Sequence, residues 1–305
     1  MIYLPKPERL SHSANCIFSP HNLPILRVRP GEIVQVETYD AFGDQLTPDF
    51  DLKKLLESGK EVYDNPVTGP IYIEGAEPGD TLAVDIMDIK IREFGLAAIS
   101  PGVGALDGWL STSPAVTKFL KIENGTIHYR TDSAKDLTFP AKPFLGVVGV
   151  SPPLESISTV TPFQHGGNMD VADVCPGNRL FLPVGVKGGL FCVGDVHASQ
   201  GDGEICGNAV EVSAQVTFKF DILKNKTIRW PRIESNDEIM TVCSSKPLED
   251  AARCAFRELI RWLDEYGIST NDAYILLSLA ARARIAQIVD PLYTVVAKIA
   301  KEIIA

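Results

Sequence analysis

The chain of 305 residues carries 39 acidic and 29 basic side chains, a formal net charge of −10, with 45% hydrophobic and 22% charged residues. That length buries a large core, as one big domain or two to three small ones. The acidic balance argues against nucleic acid or an anionic membrane surface as partner, and no apolar run approaches the roughly 18–20 residues of a transmembrane helix.

The opening "MIYLPKPERLSHSANCIFSP" lacks the apolar stretch of a secretory signal. Six cysteines, Cys16, Cys175, Cys192, Cys206, Cys243 and Cys254, show no Cys-x-x-Cys spacing. Disulfide frameworks belong mainly to far shorter chains, so these read as reduced thiols in a cytoplasmic protein. From Leu23 to Phe220 short β-branched alternating runs are separated by Gly, Pro, Asn and Asp. Strands are predicted within 32–41, 70–80, 81–91, 125–131, 144–150, 179–186, 188–198 and 211–223, with one short helix within 51–62. Many short strands with turn chemistry between them predict a mainly β, sandwich- or barrel-like architecture.

Past "KNKTIRWPRIES" the period shifts toward 3.6. Leu248, Ala251, Ala255, Leu259 and Trp262 form one stripe of a helix over 247–267, with Gly267 at its end. Ser269 caps a second helix, "TNDAYILLSLAARAR", with Asp272 in its first turn. The tail "YTVVAKIAKEIIA" reads as strand in its first half. The whole is α+β: an N-terminal β region (1–150), a central β region with the candidate site (151–230) and a C-terminal α/β region (231–305), packed as one unit.

Two polar constellations stand out. In "GDVHASQGDGEICG" (194–207), a four-residue loop at Ala198–Gly201 would set His197 opposite Asp202 and Asp195 opposite Glu204. All four groups then share one face, about 5 Å apart at Cβ. Two carboxylates at about 5 Å repel by roughly 3 kcal/mol at an effective dielectric of 20. No Lys or Arg lies between Lys187 and Lys219 to relieve them. A divalent cation is the simplest remedy, Zn²⁺ for mixed His and carboxylate donors and Ca²⁺ for an all-oxygen set. The string also reads as a polar turn with acids facing water, and a one-residue slip would disperse the face.

Upstream, "TPFQHGGNMD" (161–170) gathers His165, Asn168 and Asp170 around Gly166–Gly167. The glycines allow close backbone approach and N–H groups aimed at a developing oxyanion. A glycine-rich turn satisfying its own backbone is the alternative. Nucleophile-elbow, phosphate-loop and His-Glu-x-x-His motifs are absent. Cys175 in "DVCPG" is the one thiol beside these segments.

"HGGNMD" followed by "LPVGVKGGLFCVGDVHASQGDGEICG" resembles the acetamidase/formamidase family. So do "LPILRVRPGEIVQVETYDA", "NPVTGPIYIEGAEPGDTLAVDI", "PFLGVVGVSP" and "DAYILLSLAARARIAQIVD". The resemblance implies hydrolysis of small amides to acid and ammonia, a mainly β fold with a smaller α/β part, and a homodimer or higher oligomer. In that chemistry Asp170, Asp195 and His197 are expected as metal ligands, with His165 in reserve, and Glu204 as proton carrier. Asp202 would orient His197 or the amide nitrogen, while Asn168 and the Gly166–Gly167 backbone hold the carbonyl. Ligand and base could exchange places among the hairpin groups. Alternatives are a metal-independent hydrolase using Cys175 or a carboxylate, and a non-catalytic ligand- or cation-binding β-sandwich. Glu37 and Asp40 differ by an odd spacing, which sets them on opposite faces of one strand; whether they or Glu74 reach the pocket is open.

Overall fold

The computed structural model describes residues 1–4, 16–44, 47, 49–58, 65–111 and 115–305. Among them, strands dominate and assemble into two large sheets and one small one. The first holds nine strands in the spatial order Ile2–Leu4, Ile33–Thr38, Ala214–Leu223, Thr81–Ile91, Arg179–Pro183, Arg232–Glu234, Glu238–Ser245, Tyr293–Ala300 and Arg282–Gln287. Strands from both ends of the chain therefore share one sheet.

Why these runs are apolar at nearly every position follows from their two covers. Leu82 and Val84 point into a core shared with the second sheet, while Ala83 between them points to the other side. The same alternation sends Leu180 and Leu182 one way and Phe181 the other, and Met240 and Val242 one way and Ile239 and Cys243 the other. A strand buried on both faces loses the polar half of the period-2 pattern. The far cover is the helix Leu248–Asp264, which buries Ala251, Ala255, Leu259 and Trp262 against it. Each large apolar side chain buried there contributes roughly 1.5–3 kcal/mol.

The predicted helix ends match their chemistry. Gly267 takes φ +77°, and the Ile268 N–H behind it donates to Leu263 O at 3.2 Å. Ser269 Oγ accepts from Asp272 N at 3.2 Å and opens the helix Thr270–Ala280. That helix is shorter than "TNDAYILLSLAARAR", because Arg282–Gln287 pairs antiparallel with Tyr293–Ala300 as an edge strand. The tail is strand to Ala300 and then a short helix, Lys301–Ile304. In the 51–62 segment the helix is Leu52–Glu57, capped by Asp51; residues 59–62 lie outside the described ones. No helix among the described residues is long and apolar enough to cross a membrane.

The second sheet carries the site. Its strand Phe191–His197, buried throughout, runs antiparallel to Phe144–Gly149 on one side. On the other side the neighbour changes: Val67–Ile73 pairs up to Gly194, and Glu211–Val212 takes over at Val196. The residue at the changeover is Asp195. It takes φ +48°, and no ladder pair forms between it and Gly146 across the strand.

Candidate active site

The changeover at Asp195 opens the sheet and aims polar side chains into the gap. His197 is paired with Glu211, and its Nε2 lies 3.3 Å from Asp195 Oδ2 and 3.4 Å from Glu211 Oε2. One ligand atom from each of Asp170, Asp195 and His197 falls within 4.8 Å of the others, and the same holds for His197, Glu204 and Glu211. All five residues are buried. Asp170, Asp195 and Glu204 sit at φ +52°, +48° and +47°. Left-handed backbone of this kind holds about 1–3 kcal/mol of strain per residue and concentrates at functional sites.

Such crowding shifts protonation. Burial, against the pull of His197, pushes Asp170 up to about 6 and Glu211 to about 7. Burial and the Asp170 charge push Glu204 well above the carboxylate range. Burial works against the His197 imidazolium, yet Glu211 and Asp195 hold it well above the ordinary value. Asp170 Oδ1 and Oδ2 and Asp195 Oδ1 are buried without an N–H donor from the described residues. Acceptors left facing one another need a shared proton or a cation between them. This donor set fits a divalent metal.

The cluster opens into a cavity of about 420 Å³ whose polar lining includes Asn65, Asn168 and Asp290 and whose apolar lining includes Phe42, Leu52 and Val103. Asn168 Nδ2 donates to Asp290 Oδ2 at 3.0 Å, while Asn65 Nδ2 donates to Asn168 Oδ1 at 3.3 Å and to Asp195 Oδ2 at 3.1 Å. Behind His197, the Gln200 side chain bonds the ring's Nδ1 and two backbone carbonyls.

Of the sequence-predicted residues, the structure brings together Asp170, Asp195, His197, Glu204 and Asn168. It does not form the predicted hairpin: residues 199–210 make a loop whose Gly203 bridges Gln287. Asp202 consequently leaves the cluster, is 59% exposed at its side chain and bonds Arg284. His165 is also separate. Its ring packs edge-on against Phe18 and lines another cavity of about 290 Å³, and burial pushes it down to about 4. Gly166 and Gly167 serve packing. The Gly166 N–H donates to Phe163 O at 3.1 Å, and a Cβ at either position would fall 2.3 Å from a carbonyl oxygen. The Gly166 N–H is thereby engaged and is not free for the expected oxyanion hole. Cys175 lines a third cavity with Phe144 and Arg284, its thiol pushed up by burial and by Asp173. Glu37 accepts from Tyr3, Asp40 caps Phe42 and Asp44, and Glu74 pairs with Arg29; none lines the site cavity.

Gly146 shows how tightly the cluster is held. A Cβ there would lie 2.8 Å from Asp170 Oδ1 and 2.9 Å from Asp195 Oδ2. Gly146→Ala is expected to destabilise the fold by about 1–3 kcal/mol and to reduce activity roughly 100-fold, the scale on which small misplacements act. Thermal melting with steady-state rates checks both; parental activity would show that the carboxylates tolerate displacement.

Comparison with known proteins finds similar chains over most of this one. A model of the acetamidase/formamidase family matches residues 11–158 and 153–304. An acetamidase structure from Yersinia enterocolitica is 38% identical and covers 100% of this chain and 93% of that one, with TM-score 0.90. An acetamidase structure from Bacillus halodurans is 34% identical over 99% of this chain and 98% of that one, with TM-score 0.89. The formamidase of Methylophilus methylotrophus is 30% identical over 259 residues, 66% of this chain. The match spans 62% of that relative's own length.

Proposed function

The chain belongs to the acetamidase/formamidase family, and from that premise we propose that it hydrolyses small aliphatic amides, formamide and acetamide among them, to the carboxylic acid and ammonia. The observation that carries this reading is the convergence of Asp170, Asp195, His197, Glu204 and Glu211 beside one cavity of about 420 Å³. Asp170, Asp195 and His197 would hold a divalent metal, Zn²⁺ in preference to Ca²⁺ because one donor is an imidazole nitrogen. When bound, such an ion lowers the pKa of water toward 7 and polarises a carbonyl.

The rest falls to the chain's own side chains. Glu204 takes the proton from the attacking water and delivers it to the departing nitrogen; its raised affinity for protons suits the second task. Asn168, held by Asn65 and Asp290, orients the amide, and the Phe42–Leu52 side limits water around the acyl group. A cytoplasmic homo-oligomer is part of the same reading. It is supported by six cysteines free of disulfides and by Tyr274, Ile275 and Leu279, exposed on the helix Thr270–Ala280. Contiguous apolar side chains of this kind mark interfaces.

Ammonia release from formamide and acetamide tests the reading. Chelation should silence turnover and stoichiometric Zn²⁺ restore it. Active protein without stoichiometric metal would remove the metal, and no ammonia from either amide would remove the activity. Full activity in Cys175→Ser is expected, since its thiol lies outside the cavity.

A further inference from the structure

We propose that Gln200 is a positioning residue that fixes the protonation face of His197, so that Nε2 and no other ring atom is presented to the carboxylates. The inference rests on reading the cluster as a cation site for the amide chemistry.

Three hydrogen bonds carry it. Gln200 Nε2 donates to Asp170 O at 3.1 Å and to Ala286 O at 3.0 Å, using both its hydrogens. Carbonyl oxygens only accept, so the amide cannot be turned round without setting its own oxygen against two others. Oε1 must then face His197 Nδ1, at 2.8 Å. Having no proton to give, it accepts one, and Nδ1 carries the hydrogen. In neutral imidazole the lone pair is left on Nε2. That is the atom 3.3 Å from Asp195 and 3.4 Å from Glu211. In the charged ring Nε2 meets the two carboxylates with its own proton; once that proton leaves, the lone pair faces them and a cation takes the proton's place.

The same amide grips the backbone of Asp170. One side chain therefore couples the ring of one donor residue to the main chain of another. Its anchor on Ala286 ties both to the edge strand Arg282–Gln287, where the Gly203 N–H also bonds Ile285 O at 3.0 Å and Ala286 O at 3.1 Å. Gln200 further forms part of the wall of the 570 Å³ cavity holding Cys175 and Arg284, so it stands between two solvent spaces and shields the Nδ1 side of His197.

Two substitutions separate this role from a merely structural one. Gln200→Met removes the acceptor and both donors. Gln200→Glu keeps an acceptor for Nδ1–H and loses the donors. In metal-depleted protein labelled with ¹⁵N-histidine, one of only five histidines, His197, is expected to show a slowly exchanging Nδ1–H. That signal should vanish in Gln200→Met and persist in Gln200→Glu. Zn²⁺ affinity, read by competition with a chromogenic chelator, should fall about 10–100-fold in Gln200→Met, the range for partners of ligating histidines, and stay within about fivefold of the parent in Gln200→Glu. Equal losses in both variants would assign Gln200 to holding the loop and overturn the proposal. So would Gln200→Met with parental Zn²⁺ affinity and an intact Nδ1–H. If the parent binds no Zn²⁺, the cation reading falls, and the Nδ1–H comparison still decides the role of Gln200.

Discussion

Exchanging Glu204 for glutamine is expected to slow amide turnover by about two to four orders of magnitude, the usual contribution of a positioned proton carrier. Glutamine has the same shape and no proton to shuttle, so the cavity survives while the transfer does not. The fold should not suffer. Burial and the Asp170 charge raise the Glu204 carboxyl well above its ordinary 4.5. A raised acid binds its proton more tightly folded than unfolded, so folding is favoured below 4.5 and progressively disfavoured as pH climbs toward the raised value. A permanently neutral glutamine escapes that loss. Metal-depleted Glu204→Gln should therefore melt at or above the parental temperature, with the gap widening from pH 5 to pH 8. Near-parental ammonia release would remove Glu204 from the proton path.

Asp195→Asn should trade activity for stability. Asparagine tolerates the left-handed backbone at φ +48° and leaves an oxygen for Asn65. It removes one negative charge from a crowded group, and two carboxylates at about 5 Å repel by roughly 3 kcal/mol at a dielectric of 20. Metal-depleted variant is thus expected to melt above metal-depleted parent. With Zn²⁺ the order should reverse, because a ligand that binds only the folded state stabilises it in proportion to its affinity. Activity should drop by more than the 10–100-fold that changes around a ligand bring about. Melting with and without Zn²⁺ reads all three; equal Zn²⁺-induced shifts in both proteins would exclude Asp195 as a ligand.

The density of polar groups in "HGGNMD" and "GDVHASQGDGE" was enough to single out Asn168, Asp170, Asp195 and His197, although Asp170 and Asp195 reach the cluster through left-handed backbone and not through the face repeat of a regular strand. The mostly β architecture was legible because a strand repeats its face every second residue. Asp202 was misplaced because its partner, Arg284, lies 82 residues away, beyond any local count of charges. Glu211 was overlooked as one acid within the apolar run "GNAVEVSAQV". Asp290, Asn65 and Gln200 enter through loops, where no period announces a direction. "RARIAQ" looks helical because Ala and Arg favour helices; pairing with Tyr293–Ala300 overrides that preference. Gly166–Gly167 advertised close approach correctly, but the approaching atoms are Val148 O and Thr161 O, which only the tertiary structure could reveal.

The long reach between the groups around the cavity bears on how the molecule comes into being. Asn65 and Asp195 stand 130 residues apart, and Asn168 and Asp290 stand 122 apart. Contacts between such distant segments form late and slowly, as in other proteins dominated by non-local pairing. A nascent chain emerging from the ribosome has no complete cavity until the segment carrying Asp290 has reached Asn168. The finished cavity is therefore a reporter of completed folding, and a chain truncated before Asp290 would leave the earlier acids gathered without their last companion.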